Sequence, residues 1–184
     1  AELIINEFRP WFDADKILRV LEIGTGSGCI AIATALVLPN ATVEATDISA
    51  DAIAVSEINR ARFPDLSARL RFIEADLFPD RDDCYDLIIT NPPYVPSNVV
   101  AGLPREYAHE PSLALSAGAD GLTLVRRILD QAAARLNDGG GLVIDVGEMA
   151  SAVDQDIQSV NLTWLDLHHG GAGVGVACKD DFNA

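Results

Sequence analysis

Lysine and arginine are scarce in this chain. They number 13 against 28 aspartates and glutamates in 184 residues, a formal net charge of −15. Phosphate binding is driven largely by Lys and Arg, so this balance argues against a broad nucleic-acid surface. It favours a basic protein or peptide as partner. Cysteine is nearly missing too. Cys29, Cys84 and Cys178 lie far apart, form no CxxC and are odd in number, which argues against a disulfide framework. Each sits in an apolar stretch and is expected to be a buried free thiol of a cytosolic protein. No apolar run reaches the roughly 18 residues of a membrane span, and no signal peptide is visible. A membrane role is not expected, and a cytoplasmic location is. Internal repeats and low-complexity tracts are absent. His168 and His169 have no Cys or carboxylate at metal-like spacing, so no metal site is expected. His109 reads as a polar loop histidine.

What the chain does have is a 49% hydrophobic fraction, enough for one domain with a full core. Because it opens on Ala1 rather than Met, it is expected to be a processed or trimmed fragment. Leu3, Ile4, Phe8, Trp11 and Phe12 recur at helical spacing, which predicts a helix over 3–12. Short apolar runs then alternate with helical patterns. Strands are predicted at 19–23, 42–46, 70–74, 85–90 and 142–146, with a closing antiparallel pair at 162–167 and 174–178. Helices are predicted at 28–38, 50–62, 121–136 and 150–159. Asp120 is the expected N-cap of the third, and Gly139 to Gly141 its end. The run at 85–90 suggests burial on both faces. Residues 96–119 form a connection long enough to be functional. This alternation implies an α/β fold with a doubly wound, mainly parallel seven-stranded sheet, whose ligands bind beyond the carboxyl ends of the strands.

The chemistry-bearing residues all fall at such ends. Leu21-Glu22-Ile23-Gly24-Thr25-Gly26-Ser27-Gly28 leaves the first strand, and its glycines permit positive φ and close approach by a ligand. The spacing G-x-G-x-G departs from the dinucleotide fingerprint, and the Gly-Lys-Ser/Thr of a Walker loop is absent. Asp47, followed by Ile48, ends the second strand and can accept hydrogen bonds from two ribose hydroxyls. Asp76 follows the third strand and can meet an adenine amino group, with Leu77 against the ring. Glu22 is placed to orient the loop. Three acids beside a glycine turn suit S-adenosylmethionine, which has a sulfonium cation and no phosphate.

The fourth strand runs into Asn91-Pro92-Pro93-Tyr94. The Asn91 side chain has a donor and an acceptor, and the prolines stiffen the turn while lacking donors. A substrate NH₂ can donate to the Asn91 oxygen and to the Pro92 carbonyl, with Tyr94 stacked on the planar group.

The glycine turn together with Asn91-Pro92-Pro93-Tyr94 resembles the class I S-adenosylmethionine-dependent methyltransferases that modify planar nitrogens. The run from Leu103-Pro104-Arg105-Glu106-Tyr107-Ala108-His109-Glu110-Pro111 through Leu129 is similar to the protein glutamine methyltransferases of the translation apparatus. That resemblance implies a Rossmann-like catalytic domain at 16–184. It also implies an N-terminal helix at 1–15, left from a helical substrate-recognition domain. Asn91, Pro92 and Tyr94 would be catalytic. Glu22, Gly24, Thr25, Gly26, Gly28, Asp47, Ile48, Asp76, Leu77 and Asn91 would hold S-adenosylmethionine. Asn91, Pro92, Pro93, Tyr94, Glu110 and Pro111 would contact a protein substrate, a large-subunit ribosomal protein, with a release factor as the alternative. Asp145-Val146-Gly147-Glu148 departs from the family's Glu-Val-Gly-Asn type of sequence. A nucleic-acid adenine methyltransferase and a cofactor-binding module without activity are the alternatives.

Overall fold

The computed structural model describes residues 1–94, 120–168 and 171–183. At its centre lie β1 (Arg19–Ile23) and β4 (Tyr85–Thr90), apolar on both faces and buried almost throughout. Strands of this kind need cover above and below, the condition of a parallel sheet between helical layers. β2 (Thr42–Asp47) and β3 (Leu70–Glu74) extend the sheet on one side. β5 (Leu136–Asp145), β6 (Thr163–Trp164) and β7 (Val174–Cys178) extend it on the other. The order is β3-β2-β1-β4-β5-β7-β6. Pairings from β3 through β5 are parallel, and both pairings of β7 are antiparallel. The doubly wound, mainly parallel seven-stranded sheet is therefore present, with its antiparallel closing pair.

Among the described residues the α-helices are α1 (Glu2–Ile5), α2 (Cys29–Val37), α3 (Ala50–Arg60), α4 (Thr123–Arg135) and α5 (Ala150–Asp156). Successive strand residues point to opposite faces. Val20, Leu87 and Ile89 thus pack with Ala31, Ile32 and Ala35 of α2. Leu21, Ile88 and Ile144 pack with Val125, Ile128 and Leu129 of α4. Each Val, Leu or Ile among them contributes roughly 1.5–3 kcal/mol on full burial.

Several local expectations are corrected. The N-terminal helix is a single turn, because Glu7 and Phe8 take positive φ values of 54° and 62°. That reversal turns Phe8 and Phe12 inward and leaves Trp11 40% exposed. Asp120 does not cap α4, whose N-cap is Leu122; it accepts the Leu122 N–H at 3.0 Å and pairs with Arg126 at 2.6 Å, bracing the preceding turn. The glycines at 139–141 do not end α4. Leu136 already pairs with Tyr85, and Gly141 pairs with Leu87, so the intervening residues form an insertion in β5. Within it glycine is required at 140, since a Cβ at Gly140 would lie 2.9 Å from the Asp86 carbonyl oxygen. α5 stops at Asp156 because Ile157 turns extended and is buried. The cysteines are not buried. Cys29 begins α2 on its solvent side and Cys178 ends β7, both exposed, and Cys84 is half-buried.

Candidate functional site

The chain passes from β1 outward to β2 and β3, then returns to β4 on the other side of β1. That reversal opens a crevice at the carboxyl ends of β1 and β4, where ligands of open α/β sheets bind. Ile23 is in register with Thr46 on one side and Thr90 on the other. Gly24, Asp47 and Asn91 are therefore the next residues on three adjacent parallel strands. The Thr90 hydroxyl donates to the Ile23 carbonyl at 3.0 Å and ties two of those ends together.

The glycine loop starts where the Gly24 and Thr25 N–H groups both donate to the Thr46 carbonyl at 2.9 Å. Gly24 and Gly26 have φ of +73° and +54°, and a Cβ at either would meet nothing within 4 Å. Glycine is needed there for backbone conformation, and the space beside the loop is open. Gly28 differs. Its φ is +80°, but a Cβ would lie 2.8 Å from the Phe72 ring and 2.9 Å from Ser56. It lets α2 start against β3 and α3.

Glu22 lies beneath the loop, 2% exposed, and accepts the Thr25 hydroxyl at 2.6 Å. Burial pushes its carboxyl up to about 8, against the opposing effect of hydrogen bonds from Thr25 and the Ala31 backbone. At neutral pH it is protonated and braces the loop as a neutral group. Asp47 is half-buried. It accepts the Gly26 N–H on one oxygen and the Ser49 N–H on the other, both at 2.9 Å. A carboxylate has about four acceptor positions, so further hydrogen bonds can be taken by both oxygens. Beside it Ile48 is an apolar side chain 54% exposed.

Asp76 is exposed and pairs with Arg127 of α4 at 2.8 Å. Leu77 has φ +68°, a left-handed backbone costing about 1–2 kcal/mol for a residue with a Cβ. The Thr46 hydroxyl holds that conformation by donating to the Leu77 carbonyl at 2.6 Å. On the other side of the crevice Asn91 is exposed, Pro92 is buried, and Pro93 and Tyr94 are half-buried. Glu110, Pro111, His109 and the rest of 103–119 lie outside the described residues.

One contact went unread in the sequence. Gly147 follows β5 with φ +53°, and a Cβ there would stand 2.7 Å from Tyr94 Cζ and 2.8 Å from its hydroxyl oxygen. Its N–H donates to Asp145 Oδ1 at 3.0 Å. The available signal was positional: Asp145-Val146-Gly147-Glu148 leaves the strand next to β4 at the same end of the sheet. The crevice thus gathers an open glycine loop, a carboxylate with acceptor capacity, an exposed apolar side chain and a rigid amide-bearing corner. It suits a ligand with vicinal hydroxyls on one side and a planar NH₂ group on the other.

Residues 3–102 match the family model described as the methyltransferase small domain. The chain is 42% identical over 183 residues to a ribosomal protein uL3 glutamine methyltransferase of Burkholderia pseudomallei, covering 95% of this chain and 59% of the relative. It thus spans about three fifths of the length of the curated relatives it matches. Among solved structures, the METTL16 catalytic domain in complex with a 3′UTR hairpin has TM-score 0.66 and 21% identity, over 96% of this chain and 68% of that one. A ribosomal protein L11 methylase from Lactobacillus delbrueckii subsp. bulgaricus has TM-score 0.61 and 22% identity, over 96% and 75%. These two likenesses concern the fold alone.

Proposed function

This chain belongs to the methyltransferase small domain family, and from that membership we propose that its protein methylates the side-chain amide nitrogen of a glutamine in ribosomal protein uL3. The observation that carries this reading is the placement of Asn91-Pro92-Pro93-Tyr94 beside the open Gly24–Gly26 loop at the switch in strand order. The 42% identity to a uL3 glutamine methyltransferase supports uL3 as the substrate. A net charge of −15 suits a basic ribosomal protein.

The loop fits S-adenosylmethionine. A Cβ at Gly24 or Gly26 would enter empty space, and the Asp47 carboxylate held on the Gly26 N–H suits a cation rather than a phosphate. When bound, this cofactor supplies a methyl group activated by its sulfonium. Asp47 would accept the ribose hydroxyls, Ile48 and Leu77 would flank the adenine, and Asp76 would accept its amino group. Glu22, Thr25 and Gly28 would keep the loop in shape. The amide nitrogen of glutamine is a weak nucleophile because its lone pair is delocalised, so alignment is the main need. Asn91 Oδ1 and the Pro92 carbonyl would each accept one amide hydrogen, Pro93 would stiffen the corner, and Tyr94 would cover the planar group. Positioning of this kind can contribute roughly 7–11 kcal/mol. The new N–CH₃ bond replaces the S–CH₃ bond, leaving S-adenosylhomocysteine, and the nitrogen gives up one proton to water. Glu110 and Pro111 would contact the polypeptide around the glutamine. Residues 16–184 would carry the reaction, and residues 1–15 would lead from a part that recognises substrate. A ribosomal-protein substrate sets the reaction in the cytoplasm.

The test incubates the full-length protein with labelled S-adenosylmethionine and either uL3, a release factor or duplex DNA, followed by mass spectrometry. The expected product is uL3 with one methylated glutamine. Label in the release factor alone would reassign the substrate, and label in DNA but in no protein would overturn the reading.

A further inference from the structure

Three elements distant in sequence meet behind the Asn91-Pro92-Pro93-Tyr94 corner. Gly147 lies under the Tyr94 ring, closer than any side chain allows. Gly173, just before β7, lies against the peptide of Gly147. Its φ is +91°, and a Cβ there would overlap the Gly147 carbonyl and stand 2.6–2.7 Å from the Gly147 carbonyl carbon and nitrogen. The Val146 N–H also donates to the Gly173 carbonyl at 2.9 Å, which fixes the two segments against each other. The stack therefore runs from the closing strand pair, through the peptide of Gly147, to an aromatic ring of the reaction centre.

We propose that Gly147 and Gly173 are positioning residues that set where the Tyr94 ring stands. The inference rests on the reading above, in which Tyr94 covers the target amide. Ordinary van der Waals contact begins near 3.4 Å, so a methyl at Gly147 would push the 2.7 Å ring contact outward by roughly 0.7 Å. A misplacement of about 1 Å costs about 100-fold in rate. Gly147→Ala should therefore lower kcat roughly 10- to 100-fold. Binding of S-adenosylhomocysteine, on the far side of the crevice, should stay within about twofold, because none of its assigned contacts moves.

The experiment is a double-mutant cycle in the full-length protein with uL3 as substrate, using Gly147→Ala, Tyr94→Ala and both together. Cofactor-product affinity is measured by calorimetry and melting temperature is recorded for each variant. If Gly147 acts through Tyr94, adding Gly147→Ala to Tyr94→Ala changes kcat no further. The double variant removes the colliding ring, so it reports even if the single variant folds poorly, and Gly173→Ala provides a second approach to the same ring. An equal kcat loss from Gly147→Ala with and without the ring would overturn the proposal. So would full kcat in Gly147→Ala when Tyr94→Ala is impaired. Full kcat in Tyr94→Ala would instead remove the assigned role of Tyr94, and this inference with it.

Discussion

Two pairs of glycines border the same crevice, and they are glycine for opposite reasons. Gly24 and Gly26 take positive φ with nothing within 4 Å of a would-be Cβ, whereas Gly147 and Gly173 take positive φ with Tyr94 and the Gly147 peptide already in that place. The open pair leaves room for something other than protein. The closed pair leaves room for the protein itself. Under the proposed function the first is assigned to ligand binding, and the second to the shape of the wall that faces the ligand. Left-handed backbone is common to both, so φ alone does not separate them; the surroundings of the missing side chain do.

The largest effect should come from the closed pair. Gly173→Ala places a methyl on the Gly147 carbonyl, which only backbone movement can relieve. Overpacking of this kind costs typically 1–3 kcal/mol, and the left-handed conformation adds about 1–2. For a domain of this size the sum corresponds to a fall in melting temperature of roughly 5–15 °C. A Gly173→Ala protein that melts within 2 °C or so of the parent would break the distinction between the pairs.

Glu22 sharpens the comparison from the open side, because it braces that loop from below through Thr25. Its folded-state pKa is raised from 4.5 to about 8 by burial. The neutral form is the one favoured by folding. Its stabilisation is complete below about 4.5 and is lost as pH rises through about 8. Glu22→Gln keeps an uncharged acceptor for the Thr25 hydroxyl. Its melting temperature relative to the parent should rise steadily between pH 5 and pH 9, by an amount on the order of a few kcal/mol in stability. Parallel melting curves across that range would show that the carboxyl ionises without cost and that the brace is not neutral.

How much of this was legible in the sequence follows the same division. β1 and β4 could be read because their apolar residues are continuous and bounded by turn residues. The Gly24–Gly28 loop and Asp47 could be read because they directly follow strands. The stack of Gly173, Gly147 and Tyr94 had no local pattern, since its three members meet only once the sheet is ordered β4-β5-β7. The glycines at 139–141 misled for a related reason. After a helix they look like a C-cap, and only the pairing of Leu136 with Tyr85 shows that the strand has begun. The break in the first helix at Glu7 and Phe8 is set by burial of Phe8 and Phe12 in the sheet's core, which outweighs helical spacing.

The smallest effect on folding, and the sharpest probe of the comparison, is expected at Gly24. Gly24→Ala meets no neighbour, so its cost is limited to the left-handed backbone, about 1–2 kcal/mol and a few degrees of melting temperature. The methyl nevertheless enters the space assigned to S-adenosylmethionine. Affinity for S-adenosylhomocysteine, measured by calorimetry on the folded variant, should fall by at least about tenfold, equivalent to 1.4 kcal/mol. Gly173→Ala, measured in parallel well below its melting temperature, should lose stability first and keep most of that affinity. Unchanged affinity in Gly24→Ala would mean that the open space beside the loop is solvent and not a ligand site. The open pair would then be glycine for its backbone alone.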